Sequence, residues 1–244
     1  AGGLSWGYRT LANCLQPKRD VYGLQAPALD PAVPAPESLE RLAHDYAHRV
    51  DRAVPEGPVH LAGWSVGGVI AQGVAVTLQD MGREVGLLAL LDAYPADCWR
   101  AEPEPTEPQE LRALLAIAGL DPEAHPELTT REQVTAFLRN GDSPLGSLPP
   151  AVLDGVVRVV LDNNRLVRGH HHRRFDGPLL HIRAGLDHGD RPQLVPERWA
   201  PYAAAVESVT VPFLHPQLTG PAASAMIAPL LSERMAAGVL SPVS

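Results

Sequence analysis

The sequence predicts an α/β fold, with a mostly parallel central sheet flanked by helices and a helical insertion above it. Three observations point there. Short runs that are apolar on both faces alternate with helical runs, the pattern of buried parallel strands joined by helices. Prolines, 25 among the 244 residues, cluster between those runs at Ala26 to Glu37, Pro55 to Pro58, Pro103 to Pro108 and Ser143 to Pro150. One long stretch, about Ala96 to Val167, holds helical patterns and no convincing strand.

Taken in order, Ala1-Gly2-Gly3 reads as a loop, and with no initiator Met the chain is expected to be a piece of a longer one that lacks the preceding strand. Asp20 to Leu24 has strand length and apolar content. Ser38 to Ala53 is a helix, with Ser38 as N-cap and Leu39, Leu42, Tyr46 and Val50 at helical spacing. Pro58 to Ala62 is a strand, Gly67 to Met81 a small-residue-rich helix packed under a sheet, and Val85 to Leu91 the next strand. Helical patterns follow at Gln109 to Gly119, Thr130 to Arg139 and Ala151 to Val160. Strands return at Leu179 to Arg183 and Val209 to Val211, before a last helix at Pro221 to Met235. Residues 1–244 are read as one domain, with a core of 1–95 and 168–244 and a helical lid at about 96–167, since segments of this kind often gate a site.

Composition narrows the function. The net charge of −8, from 28 acidic and 20 basic residues, leaves no basic stretch longer than Arg173-Arg174 beside the histidines at 170 to 172. That is little with which to neutralise phosphates, so no nucleic-acid partner is expected. Apolar runs such as Gly86 to Leu91 fall far short of the ~18 to 20 residues of a membrane span, so no membrane partner is expected either. Cys14 and Cys98 are too few for a disulfide framework and no signal segment opens the chain, which fits a reducing, cytoplasmic setting.

The strongest local signal is Gly63-Trp64-Ser65-Val66-Gly67-Gly68, directly after one strand and directly before a helix. This is the strand-turn-helix context of a nucleophile elbow. Glycines stand two positions either side of the serine, where side chains are expected to collide with neighbouring backbone. Ser65 Oγ is then lifted above the sheet, with the helix N-terminus and the Val66 N–H facing a developing oxyanion.

A serine hydroxyl is a weak nucleophile at neutral pH and needs a base and an orienting acid. The chain order for this elbow is serine, acid, histidine, which limits the base to His125, His170, His171, His172, His181, His188 and His215. His125 falls in the helical insertion and His181 inside a strand. The run His170 to His172 is loop-like, arginine-flanked and read as solvated, and its adjacent residues cannot all point at one ion, so no metal is expected. His215 follows the last strand and precedes a helix, a place over the carboxyl edge of the sheet. For the acid, Asp92 at the end of Val85 to Leu91 and Asp187 after Leu179 to Arg183 both qualify. Periodicity does not separate them.

Four blocks, Gly2 to Tyr8 with Leu11 and Leu15, Tyr22 to Pro27, His60 to Ala71 and Leu90 to Pro95, closely resemble the thioesterase domains that end non-ribosomal peptide synthetases, members of the α/β-hydrolase superfamily. The resemblance covers nearly the whole chain and is weakest through the insertion. It implies an α/β-hydrolase fold with Ser65, Asp92 and His215 as catalytic triad, leaving Asp187 as fallback acid. It also implies a second oxyanion donor at Ala1 or Gly2 beside Val66. Trp64 and Tyr94 are read as substrate-pocket lining. Where the family usually has Met three positions after the histidine, this chain has Leu218.

The resemblance further implies release of a peptidyl chain from the 4'-phosphopantetheine arm of an upstream peptidyl carrier domain, by transfer to Ser65 and then hydrolysis or macrocyclisation. No permanently bound cofactor and no metal are called for, and the excised domain is expected to be monomeric. Three rivals stand beside this reading: a free-standing editing thioesterase that clears mis-primed carriers, a general serine esterase or lipase, and a degenerate scaffold that only binds a carrier or ligand.

Overall fold

Alternation along one strand shows how the sheet is buried on both faces. In Val85–Leu91, Leu87, Ala89 and Leu91 join Leu11, Ile227 and Leu231 on one side, while Leu88 and Leu90 join Ala71, Ala75 and Trp199 on the other. This strand is β2 of a computed structural model that describes residues 2–237 other than 101, 142 and 144. Its neighbours are β1 (Val59–Trp64), β3 (Phe175–Ala184) and β4 (Ala203–Val211), in the order β1-β2-β3-β4, and every pairing is parallel. One face is covered by α1 (Arg9–Cys14) and α8 (Pro221–Ala237), the other by α2 (Leu39–Ala53) and α3 (Val66–Asp80). Each fully buried leucine of this sandwich contributes about 1.5 to 3 kcal/mol of transfer free energy.

Local chemistry sets the helix ends. Ser38 is extended and its Oγ accepts the Arg41 N–H, so α2 starts where its cap predicts. The helix expected from Gly67 begins one residue earlier, at Val66, immediately after the elbow serine.

Between β2 and β3 lie α4 (Ala96–Arg100), α5 (Glu107–Ile117), α6 (Arg131–Asn140) and α7 (Pro150–Gly169). Leu111, Leu114 and Leu115 of α5, Val134 and Leu138 of α6, and Leu153, Val156 and Val157 of α7 form a core of their own. The far end of α7 belongs elsewhere: Leu166 and Val167 pack with Leu39 of α2 and Val69 of α3. Expected to stop near Val160, α7 runs on to Gly169 because its second half has this other apolar surface to cover.

Two expectations need correction. Residues 20–24 form no strand; Val21 and Tyr22 are 50% and 62% exposed. A strand needs a neighbour to exchange backbone hydrogen bonds with, and apolar content supplies none. The histidine run is not solvated either. His170 is buried with Nδ1 against Glu40 Oε1 at 2.6 Å. His172 accepts the Ala96 N–H at Nε2 (3.0 Å) and donates from Nδ1 to Gln72 Oε1 (2.8 Å), while His171 is exposed.

Both ring nitrogens of neutral His172 are thereby used, and a second proton displaces the Ala96 bond. Burial, with His170 adding to it, pushes its pKa down to about 3; burial likewise holds His181, in the middle of β3, down to about 4. A folded value below the unfolded ~6.5 means stability present above that pH and lost as pH falls toward the folded value. Urea unfolding at pH 7 and pH 5 should therefore show wild type losing about 2 kcal/mol more than His172→Gln over that interval. Equal losses in the two proteins would refute the burial argument.

Among the described residues, no helix is long and apolar enough to cross a membrane.

Candidate active site

The carboxyl ends of the four parallel strands supply one site, each strand delivering a side chain: Ser65 after β1, Asp92 after β2, His188 after β3 and His215 after β4. The elbow at Ser65 is a backbone feature first. Ser65 has φ 57° and ψ −130°, a conformation that L-residues avoid, between the last residue of β1 and the first of α3. It is held by Ser65 N–H to Leu91 O (3.0 Å) and Gly68 N–H to Ser65 O (2.9 Å). The Tyr8 hydroxyl lies 2.7 Å from the Trp64 backbone nitrogen, whose N–H it accepts, and burial pushes the phenol up to about 12.

The glycines around the serine are unequal. A Cβ on Gly63 lies 2.2 Å from Gly67 O, and one on Gly68 lies 2.4 Å from the Ala93 Cβ. At Gly67 the nearest atom is the Tyr8 hydroxyl, at 3.1 Å. The collision with backbone expected at both Gly63 and Gly67 therefore holds at Gly63 alone, and Gly68 takes the second place. Gly63→Ala should cost about 3 kcal/mol and Gly67→Ala about 1 kcal/mol or less in urea unfolding. The reverse order would contradict this steric account.

Asp92 is 2% exposed and its carboxylate meets four donors. Oδ1 accepts from the Tyr94 hydroxyl (2.9 Å) and the Ala184 N–H (3.2 Å). Oδ2 accepts from His215 Nδ1 (2.7 Å) and from His188 Nε2 (2.6 Å). Burial pushes the Asp92 pKa up, but hydrogen bonds from His188 and His215 outweigh it and hold the group well below the usual carboxylate range. Asp92 is thus a fixed anion.

Of the two acids open from sequence, Asp92 is the one whose carboxylate meets the His215 ring. Asp187 instead accepts the backbone N–H groups of His215 (2.9 Å) and His188 (3.0 Å), one on each oxygen. Among the described residues no hydrogen bond engages His215 Nε2 or Ser65 Oγ.

Trp64 and Tyr94, read from sequence as pocket lining, do other work. Trp64 is 7% exposed, donates its indole N–H to His215 O (3.1 Å) and lies with ring centroid 5.1 Å from the His215 ring. Tyr94 is 1% exposed and spends its hydroxyl on Asp92. Both are props under the site, because the tight elbow turns Trp64 back into the core with Leu11 and Leu15. Leu218 is fully buried in the same core.

Val66 opens α3, so its N–H belongs to a helix N-terminus beside Ser65. Gly2 is buried under the insertion: a Cβ there meets Ile117 Cδ1 at 2.8 Å and Val156 Cγ1 at 2.9 Å. Ala1 lies outside the described residues. Of the other histidines, His181 is fully buried with Nε2 3.0 Å from Ala93 O, and His125 pairs with Glu127 at 3.3 Å in the insertion.

Two residues at the site were given no role from sequence, where Tyr8 only closes a resemblance block and His188 is only one of seven candidate bases. Tyr8 reaches the elbow across 56 positions, and His188 reaches Asp92 across 96. Asp92, His188 and His215 have ligand atoms within 4.8 Å of one another, as a metal ion needs. The two hydrogen bonds on Asp92 Oδ2 account for that closeness without an ion.

The sequence profile of the Thioesterase domain family matches residues 1–218. A dimodular nonribosomal peptide synthase of Bacillus subtilis (strain 168) is 32% identical over 237 residues, 96% of this chain and 10% of that protein. Enterobactin synthase component F of Escherichia coli (strain K12) is 28% identical over 95% of this chain and 17% of its own length. The chain thus spans a small part of the curated relatives it matches. Among solved structures, the Vlm2 thioesterase domain superposes with a TM-score of 0.73 at 25% identity, covering 96% of this chain and 90% of that one. A four-domain nonribosomal peptide synthetase, holo-AB3403, covers all of this chain at TM-score 0.75 and 22% identity, which extends the likeness in fold. With an α/β-hydrolase-like sheet, a serine elbow and an Asp92–His215 pair, the chain belongs to the thioesterase domain family, hydrolases that act on thioesters.

Proposed function

We propose that this domain releases a peptidyl chain from the 4'-phosphopantetheine arm of an upstream carrier domain, with Ser65 as nucleophile, His215 as general base and Asp92 as the group that orients it. The observation that carries the reading is the 2.7 Å hydrogen bond from His215 Nδ1 to buried Asp92, which leaves Nε2 for the proton of Ser65. Ser65 Oγ attacks the thioester carbonyl carbon as its proton passes to His215. The tetrahedral oxyanion is held by the Val66 N–H and by a second donor from the Gly2 loop. The C–S bond breaks, His215 returns the proton to the departing thiol, and an ester on Ser65 remains. Water, or a nucleophile within the peptide, then attacks that ester, gives its proton to His215, and leaves a free acid or a macrocycle. The proton on His215 finally returns to Ser65.

Residues 96–167 serve as the lid. The contacts of Ile117 and Val156 over Gly2 support this, since they set α5 and α7 above the oxyanion loop. The reaction needs no metal and no permanently bound cofactor. Free Cys14 and Cys98 suit a reducing cytoplasm, and the excised domain is taken to act as a monomer.

Incubation with a synthetic peptidyl thioester and mass analysis of the protein test the reading. An acyl adduct on the peptide that contains Ser65, turning over to acid or ring, is expected. Turnover with the adduct elsewhere, or turnover restricted to oxygen esters, would overturn it.

A further inference from the structure

We propose that His188 is a positioning residue for the reaction: by sharing Asp92 Oδ2 with His215, it holds the acid in place and limits how tightly His215 keeps a proton. The inference rests on the triad assignment above.

Geometry carries it. His188 Nε2 stands 2.6 Å from Asp92 Oδ2, as close as His215 Nδ1 at 2.7 Å, and its side chain is 8% exposed. Its φ of 68° lies in the left-handed region, uncommon for a residue with a Cβ, so the loop after β3 carries strain that turns this ring onto the carboxylate. Asp187 then ties that loop to the other histidine, taking the His188 N–H on Oδ1 and the His215 N–H on Oδ2. The two imidazoles are thus locked to each other at the backbone through Asp187 and at the side chain through Asp92.

An oxygen that accepts one donor gives all of its charge to that bond; one that accepts two divides it. With His188 in place, Asp92 Oδ2 stabilises the His215 imidazolium less than it would alone. A protonated His188, with its ring centroid 6.4 Å from that of His215, acts in the same direction by repulsion. Neither protonation state of His188 reverses the sign.

The other titratable or charged groups facing Asp92 and the two rings are Tyr94, His181, Arg183 and Asp187. Tyr94 is pushed far above its ordinary value by burial and the Asp92 charge, so it stays a neutral donor. His181 is held neutral by burial. Arg183 is a permanent cation facing Tyr94 and His181. Asp187 is occupied with the two backbone N–H groups. None of these replaces the second donor on Oδ2.

The experiment compares wild type, His188→Ala and His188→Gln in kcat/KM for a peptidyl thioester across pH. Glutamine keeps an N–H donor at about the reach of Nε2. Loss of the donor should move the acid limb of the profile up by about half to one pH unit in His188→Ala, and His188→Gln should restore most of the shift. Superimposable wild-type and alanine profiles, or a glutamine profile displaced as far as alanine, would overturn the proposal. Proton NMR of the wild type reads the same claim without a folded variant: two strongly deshielded imidazole N–H resonances are expected, and a single one would also overturn it. Failure of the triad assignment would look different, since His215→Ala would then retain turnover whatever His188 does.

Discussion

Ser65→Ala is expected to lower kcat for a peptidyl thioester by between about ten-thousand- and a million-fold, while leaving stability within about 0.5 kcal/mol of wild type. The two halves of this result have separate causes. Without the hydroxyl no ester can form on the protein, so what remains is the help that the oxyanion donors and the bound geometry give to direct attack by water. The fold barely notices, because the Ser65 hydroxyl makes no hydrogen bond to any described residue and caps nothing at the start of α3. Alanine inherits the same φ of 57°, so the strain of the elbow is neither relieved nor worsened. Mass analysis after incubation with the thioester, together with urea unfolding, checks both halves. An acyl adduct on the variant, or turnover within tenfold of wild type, would place the nucleophile elsewhere.

Ser65 was legible in the sequence because everything that defines it is local: a strand, a turn with Gly63 and Gly68 at its crowded points, and a helix follow one another without a break. Asp92 was legible as a strand-end residue, and as one of two acids. Only the contact with the His215 ring, made across 123 positions, separates it from Asp187. The same distance in sequence hid the rest. His188 is one histidine in a polar loop until the left-handed turn at its own backbone swings the ring onto Asp92. Tyr8 looks like any aromatic of an N-terminal helix until β1 brings the elbow against its hydroxyl.

Misreadings had the same origin. Residues 20–24 have strand composition, but pairing depends on a neighbour that composition does not report. His170 and His172 look like solvated loop residues beside arginines, yet Glu40 of α2 and Gln72 of α3 stand over them. Trp64 and Tyr94 flank functional residues in sequence, and that closeness suggested contact with substrate. Burial and hydrogen bonding argue otherwise, since the Trp64 ring lies in the core with Leu11 and Leu15 and the Tyr94 hydroxyl is spent on buried Asp92. Periodicity reports which residues share a face, and the site depends on which faces meet.

Asp92→Asn should combine a catalytic loss of about ten-thousand-fold with a stability loss of about 2 to 4 kcal/mol, unlike Ser65→Ala. The usual argument for this substitution is that the amide leaves the imidazole in the wrong tautomer, its Nδ1 accepting a hydrogen bond so that Nε2 carries the proton and cannot take one from the serine. Here the amide has a second difficulty. Both carboxylate oxygens already face donors: His215 and His188 at Oδ2, Tyr94 and the Ala184 N–H at Oδ1. The Asn Nδ2 group must therefore point at two donors in either orientation. Turned toward the histidines, it requires both rings to change tautomer; turned toward Oδ1's partners, it meets a backbone N–H that has no other state. With the site 2% exposed, water cannot relieve the conflict. Asp92→Ala removes the clash and leaves four donors without an acceptor, so it should fall in the same stability range. The measurement is urea unfolding of the three variants beside single-turnover kinetics. If Asp92→Asn were as stable as Ser65→Ala, the four-donor cage around the carboxylate could not be the arrangement that holds the two histidine loops together.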